Sequence, residues 1–120
     1  MSNLNMVVIE GNLTKELRVM NTQSQRAGAH FTVAVHDSYR NNSGDTVENT
    51  HFVSCKAWNG TVEVMQKLGV GKGTRVVVHG ELETYTREDR GQNRTEMVVK
   101  ANRVIVVSQP KTDEPAPAQS

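Results

Sequence analysis

The chain has 120 residues, of which 36% are hydrophobic, with a formal net charge of +1 and a single cysteine. This length fits one domain with a short tail and leaves too little chain for two cores. One cysteine excludes a disulfide framework within the chain, no stretch approaches the ~20 apolar residues of a membrane helix, and the small net charge does not by itself point to nucleic acid.

The first segment begins Met-Ser-Asn-Leu-Asn, with no basic run followed by an apolar one, so no signal peptide is expected and the protein reads as cytoplasmic. Residues 4–13 alternate weakly and end at Gly11-Asn12, which predicts a first strand with a bend. Asn21 to Gly28 is polar and turn-like. His30 to His36 then places Phe31, Val33 and Val35 on one face, a clear strand period. Asp37 to Thr50 is long and polar, contains Asn41-Asn42-Ser43-Gly44-Asp45, and predicts a protruding hairpin loop.

Residues 51–58 read His51-Phe52-Val53-Ser54-Cys55-Lys56-Ala57-Trp58. In an extended strand, His51, Val53, Cys55 and Ala57 share one face, and Phe52, Ser54, Lys56 and Trp58 share the other. The first row is mostly small and apolar, as a core face requires, and Cys55 in it reads as a buried small hydrophobe. The second row turns out two of the chain's few aromatics with a lysine between them. Two π-faces and a cation on one ribbon suit unpaired bases and their phosphates. The competing reading is a strand buried on both faces, with Lys56 snorkelling past a core Trp58.

Asn59 is the predicted N-cap of a short helix and Gly69 its stop, with Val62, Met65 and Leu68 on one side. Gly71-Lys72-Gly73 predicts a turn. Residues 74–79 and 82–87 predict a strand broken near Gly80, residues 88–93 a hairpin loop, and residues 94–107 the last strand. Three strands, a helix and two strands is the order of an OB-fold, an all-β, five-stranded Greek-key barrel with one short helix. Val53, Cys55, Val76, Val78, Met97 and Val99 are its expected core. The predicted domain spans 1–108, and the Pro/Ala-rich segment 109–120 reads as a disordered tail.

At this point the sequence resembles the bacterial single-stranded DNA-binding protein family, SSB, across roughly residues 3–107. The motifs that carry the resemblance are Val8-Ile9-Glu10-Gly11-Asn12-Leu13, Leu17-Arg18, Phe31-Thr32-Val33-Ala34-Val35, Thr50-His51-Phe52 with Trp58, Lys72 to Leu82, and Gly91-Gln92-Asn93-Arg94. Six such pieces in order make a specific match. The resemblance implies base stacking at Phe52, at Trp58 and at Tyr39, and a contact from Lys72 of the Lys-Gly turn. Where the family has an aromatic at the outer end of the fourth strand this chain has Arg87, and Tyr85, two residues earlier, is a substitute. Ser54 stands at a site that is often basic, with Lys56 in the next outward position. These departures mark a divergent member, of a kind a phage, plasmid or integrated element could carry. The resemblance also implies a homotetramer. The family's acidic, Pro-Phe-ended tip is not matched by Asp113-Glu114-Pro115-Ala116-Pro117-Ala118-Gln119-Ser120, so recruitment of replication or repair enzymes through a tip is not expected.

The expected activity is therefore sequence-tolerant binding of single-stranded DNA in replication, recombination or repair. Bases would stack on Tyr39, Phe52, Trp58 and Tyr85, while Lys56, Lys72, Arg75, Arg87, Arg90 and Arg94 track phosphates. No catalytic residue, cofactor or metal is expected: the histidines lie in different strands with no second cysteine, Gly69 to Gly73 lacks phosphate-loop spacing, and the carboxylates have no paired base or nucleophile. A primosome-like OB adaptor working through protein contacts and an RNA-binding OB protein remain as alternatives.

Overall fold

The computed structural model describes residues 2–21 and 27–110. Its strands are β1 (Val7–Leu13), β2 (Arg18–Asn21), β3 (Ala27–Arg40), β4 (Thr46–Trp58), β5 (Arg75–Asp89) and β6 (Gln92–Ser108), with one helix, α1 (Asn59–Lys67), between β4 and β5. The sheet order is β1-β5-β6-β4-β3-β2, and a further β1–β3 pairing closes β1, β3, β4, β6 and β5 into a five-stranded barrel. The parallel β4–β6 pairing at Cys55–Val99 and Lys56–Lys100 makes the closure that hairpins alone cannot. This is the expected OB-fold, with β2 added as a short strand along the edge of β3.

The core follows from alternation. Phe31 and Val33 of β3, Cys55 and Ala57 of β4, Val76 and Val78 of β5, and Val99 and Ala101 of β6 all point inward and are buried. Beyond Ala101 the inward phase of β6 moves to Val104, because the register slips by one residue opposite His79 and Gly80. That slip is a bulge, which bends and re-phases a strand without ending it. It explains why β5 is continuous where the sequence predicted a break. At Gly80 a Cβ would overlap the carbonyl oxygen of Lys100, so only glycine permits this close approach of the two backbones.

Helix α1 plugs one end of the barrel with Val62 and Met65, both fully buried. Gly69, at φ 72°, ends it, donating to Gln66 O while Val70 donates to Met65 O, and buried Val70 packs into the same cluster as Met65. This is the Schellman arrangement. The predicted N-cap differs: Trp58 occupies that position with extended backbone and no side-chain cap bond, and Asn59 opens the helix at φ 48°. Gln109 ties the C-terminal end to the barrel. Its Nε2 donates to Leu68 O at 3.0 Å, and its Oε1 accepts from Thr74 Oγ1 at 2.7 Å. The rest of the expected tail beyond Pro110 lies outside the described residues.

Several sequence expectations are corrected. The long loop at 37–50 is mostly ladder, since β3 and β4 pair without interruption to Arg40–Thr46 and the turn itself covers only 41–45. The second hairpin is likewise paired to Asp89–Gln92, leaving a two-residue turn of Arg90 (φ 54°) and Gly91 (φ 78°). Met97, expected in the core, is 66% exposed, and His51, on the expected inward row, is exposed beside Asp37. Both lie in ribbons that have run past the rim of the barrel, where the inward phase meets water.

Candidate nucleic-acid interface

The outward faces of β3, β4, β6 and β5 form one continuous curved surface, and the ladder registers fix which residues share it. Phe52 stands opposite Ala34, Ser54 opposite Thr32, Lys56 opposite both His30 and Lys100, and Trp58 opposite Gly28. On β5, Glu81, Glu83, Tyr85 and Arg87 face Lys100, Val98, Glu96 and Arg94 of β6. The alternation read from 51–58 therefore holds for Phe52 and Trp58. Phe52 is 68% exposed, its ring open to solvent. Trp58 is half-buried, lying against Gly28, where a Cβ would come within 2.8 Å of the indole.

Lys56 is on the predicted face but is not the open cation that the sequence suggested. It is 8% exposed. Its Nζ lies 2.7 Å from Glu83 Oε1, over the Tyr85 ring at 4.3 Å from the centroid and over Trp58 at 5.7 Å. Tyr85 Oη donates to the same Glu83 oxygen at 3.3 Å. The parallel closure of β4 on β6 brings β5 within reach of β4, which spacing along the chain could not reveal.

The other candidates divide by position. Arg87 is exposed on the outward face and pairs with Glu96 at 3.2 Å, with Arg94 directly across the ladder. Arg90 is in the turn at the tip of the same hairpin. Arg75 lies ten residues before Tyr85 on β5 and pairs with Glu10 of β1 at 2.7 Å, which keeps it apart from the aromatic row. Lys72 is exposed in the turn after α1, lining a hollow with Glu16 and Gln109. Tyr39 is 52% exposed near the tip of the β3–β4 ribbon, opposite Val47, and alternation places it on the other face from Phe52. Among the described residues, Lys72, Arg90 and Arg94 have no carboxylate within ion-pair distance.

Sequence reasoning missed three further cations, Lys15, Arg18 and Lys100, and one histidine, His30, on or beside this surface. Lys15, Arg18 and His30 line a pocket of about 170 Å³ together with Thr32 and Ser54. Lys100 lies beside Lys56. Arg18 and His30 are partners in the β2–β3 ladder, a pairing invisible from two separate short segments. Lys100 was legible in principle, because 94, 96, 98 and 100 share one phase of the last strand. Cys55, beneath the face, is buried, and desolvation pushes its thiol from the ordinary 9.0 up to about 12. Among the described residues no three His, Cys, Asp or Glu side chains are close enough to hold a metal ion.

Solved structures share this barrel. The single-stranded DNA binding protein from Thermus aquaticus superposes with a TM-score of 0.77 at 25% identity, covering 88% of this chain and 51% of that one. The structure described as a Plasmodium falciparum SSB complex with ssDNA gives a TM-score of 0.78 at 18% identity, covering 90% and 98%. Among curated proteins, single-stranded DNA-binding protein 1 of Streptococcus pyogenes is 30% identical over 105 residues, 85% of this chain and 78% of its own length. The single-stranded DNA-binding protein of Treponema pallidum is 32% identical over 104 residues, but the match spans only 58% of that protein. The model of the single-strand binding protein family matches residues 4–107, and this chain belongs to that family.

Proposed function

We propose that this protein binds single-stranded DNA without sequence preference and shields it during replication, recombination or repair. The observation that carries the reading is the set of aromatics on the open face of the barrel: Phe52 exposed, Trp58 further along the same face of β4 and Tyr85 on the same face of β5, with Arg87 of β5 and Arg94 and Lys100 of β6 sharing that face. Stacking on such rings is sequence-tolerant, because every base presents a π-face, and contributes about 1–3 kcal/mol per base. A curved sheet lets successive bases meet successive rings, with Lys100 on the sheet, Arg94 in the β5–β6 ribbon and Arg18 and Lys15 beside β3 as the cations for phosphates. Protection follows by mass action, since a ligand that binds only the unpaired strand shifts the equilibrium away from hairpins and duplex. The chemistry needs no bond making or breaking, and no residue is assigned a catalytic role. The curated relatives are named as single-stranded DNA-binding proteins, which supports the binding part of this reading.

A homotetramer is part of this proposal. Supporting it, β1 pairs with β3 only at Asn12 and Leu13, so among the described residues the preceding part of that edge has no ladder partner. Exposed Met6 and Val8 flank it, at 61% and 57%. An unpaired strand edge with apolar side chains is a template for a second copy. Sedimentation should show an oligomer that Val8→Glu dissociates. A monomeric parent protein would remove the oligomer from the reading.

The test of binding is titration with poly-dT, poly-rU and duplex at one salt concentration. Poly-dT should bind tightest and duplex weakest, and Phe52→Ala should cost about 1–3 kcal/mol on poly-dT. Preference for poly-rU would make this an RNA-binding barrel, and indifference to all three would favour a protein-contact adaptor.

A further inference from the structure

Lys56 sits where an outward cation should neutralise a phosphate, yet its surroundings are built for something else. The side chain is almost wholly covered, and its ammonium meets three groups from two strands. Glu83 Oε1 is 2.7 Å away, the Tyr85 ring centre 4.3 Å and the Trp58 ring centre 5.7 Å. The Glu83 oxygen also takes the Tyr85 hydroxyl at 3.3 Å, so one carboxylate holds both the cation and the ring beneath it. On its other side Trp58 rests on Gly28. The four side chains thus form a single unit of zero net charge. A cation already neutralised by a carboxylate releases no counterion for a phosphate, whereas an ammonium shared by two aromatic faces fixes where those faces lie. Arg87 is the next residue on this face of β5 beyond Tyr85 and carries no ring.

We propose that Lys56 is a positioning residue: held by Glu83, its ammonium sets the Tyr85 and Trp58 rings as one stacking subsite, and it contributes to strand binding through those rings instead of neutralising a phosphate. This rests on the single-stranded DNA reading above. Lysine and carboxylate stay paired when the strand binds, and the base stacks on rings whose orientation was fixed beforehand, which lowers the ordering cost of binding.

The test uses the whole chain and a dT oligonucleotide, with affinity measured across a salt series. Trp58, the only tryptophan in the sequence, serves as a fluorescent reporter. Lys56→Met should weaken binding about tenfold, with its log affinity against log salt running parallel to that of the parent, and should alter the emission of the free protein. Lys56→Arg, which keeps the charge, the ion pair and the ring contact, should come within about threefold of the parent. In a Tyr85→Leu background, Lys56→Met should cost much less than it does alone. A slope shallower by ~0.7, the release per single-strand phosphate contact, would overturn the proposal. So would a loss undiminished by the Tyr85 substitution. Should Lys56→Met fail to fold, Glu83→Gln decides, read at high salt where the field of the missing carboxylate is screened. Weaker binding supports the positioning role, and tighter binding shows Glu83 merely competing with the strand for Lys56. Phe52→Ala, outside the unit, separates the two levels of inference. If it too leaves binding unchanged, the face is not the site and both readings fall. If it weakens binding while the Lys56 and Glu83 variants match the parent, only the positioning role falls.

Discussion

The closed end of the barrel and the two ribbons that extend from it are made of the same strands but obey different rules. Around α1, Val33, Val62, Met65, Val76 and Val78 are fully buried, and the inward row of each barrel strand is packed into the core, while on the outward face Ala34 and Lys56 are covered as well. Past the rim, β3 with β4 and β5 with β6 continue as two-stranded ribbons wet on both faces. There Tyr39 and Met97 are each more than half exposed. Backbone ladders and tight turns hold these ribbons, not burial. At the β3–β4 tip, Asn41 Oδ1 accepts from the backbone N–H groups of both Ser43 and Asp45, and at the β5–β6 tip Arg90 and Gly91 make the turn. The contrast shows a division of labour. The packed end supplies the buried core, and the ribbons carry side chains that burial does not constrain.

The sharpest test of that division compares two methionines. Met65→Ala removes a fully buried side chain and should cost about 2–5 kcal/mol in a denaturation midpoint analysis. Met97→Ala, in a ribbon, should stay within about 0.5 kcal/mol. Equal losses at the two sites would mean that the ribbon packs against something, and the division would fail.

Alkaline titration addresses the same contrast from the packed end. Burial holds the Cys55 thiol protonated up to about 12, while in the unfolded chain it ionises near 9.0. Between those values the folded state binds more protons, so this group's contribution to stability is complete below pH 9 and is lost as pH rises towards 12. The loss approaches ~1.4 kcal/mol per pH unit within the window. Cys55→Ala should flatten the slope of stability against pH there. A thiol reagent should react with native protein only as fast as the protein opens, and rapid labelling at neutral pH would show that this part of the sheet is not closed.

The smallest effects belong to single ribbon charges. Arg94→Ala should leave folding unchanged and shallow the salt dependence of poly-dT binding by ~0.7, one single-strand phosphate contact. Arg75→Ala should leave that slope alone, because Arg75 is paired with Glu10 at the far end of β5. The reverse result would move the strand's path to the β1–β5 surface.

The sequence by itself determined the barrel. Period-two runs at 30–36 and 51–58, the helix stop at Gly69 and the order of elements are local signals, and burial at the packed end obeys them because inward residues there have no other place to go. The outward phase of Phe52 and Trp58 was legible for the same reason. In the ribbons neither face is buried, so hydrophobicity carries no period, and residues 37–50 read as a loop although they pair almost to the tip. Met97 and His51 were misplaced because alternation says which way a side chain points but not whether anything lies there. Only the tertiary structure decided what Lys56 touches. The parallel closure of β4 on β6 and the bulge opposite Gly80 bring Glu83 and Tyr85 to it from more than 25 residues away in sequence. A charge's partner is set by which strands meet, and that depends on the closure of the whole sheet.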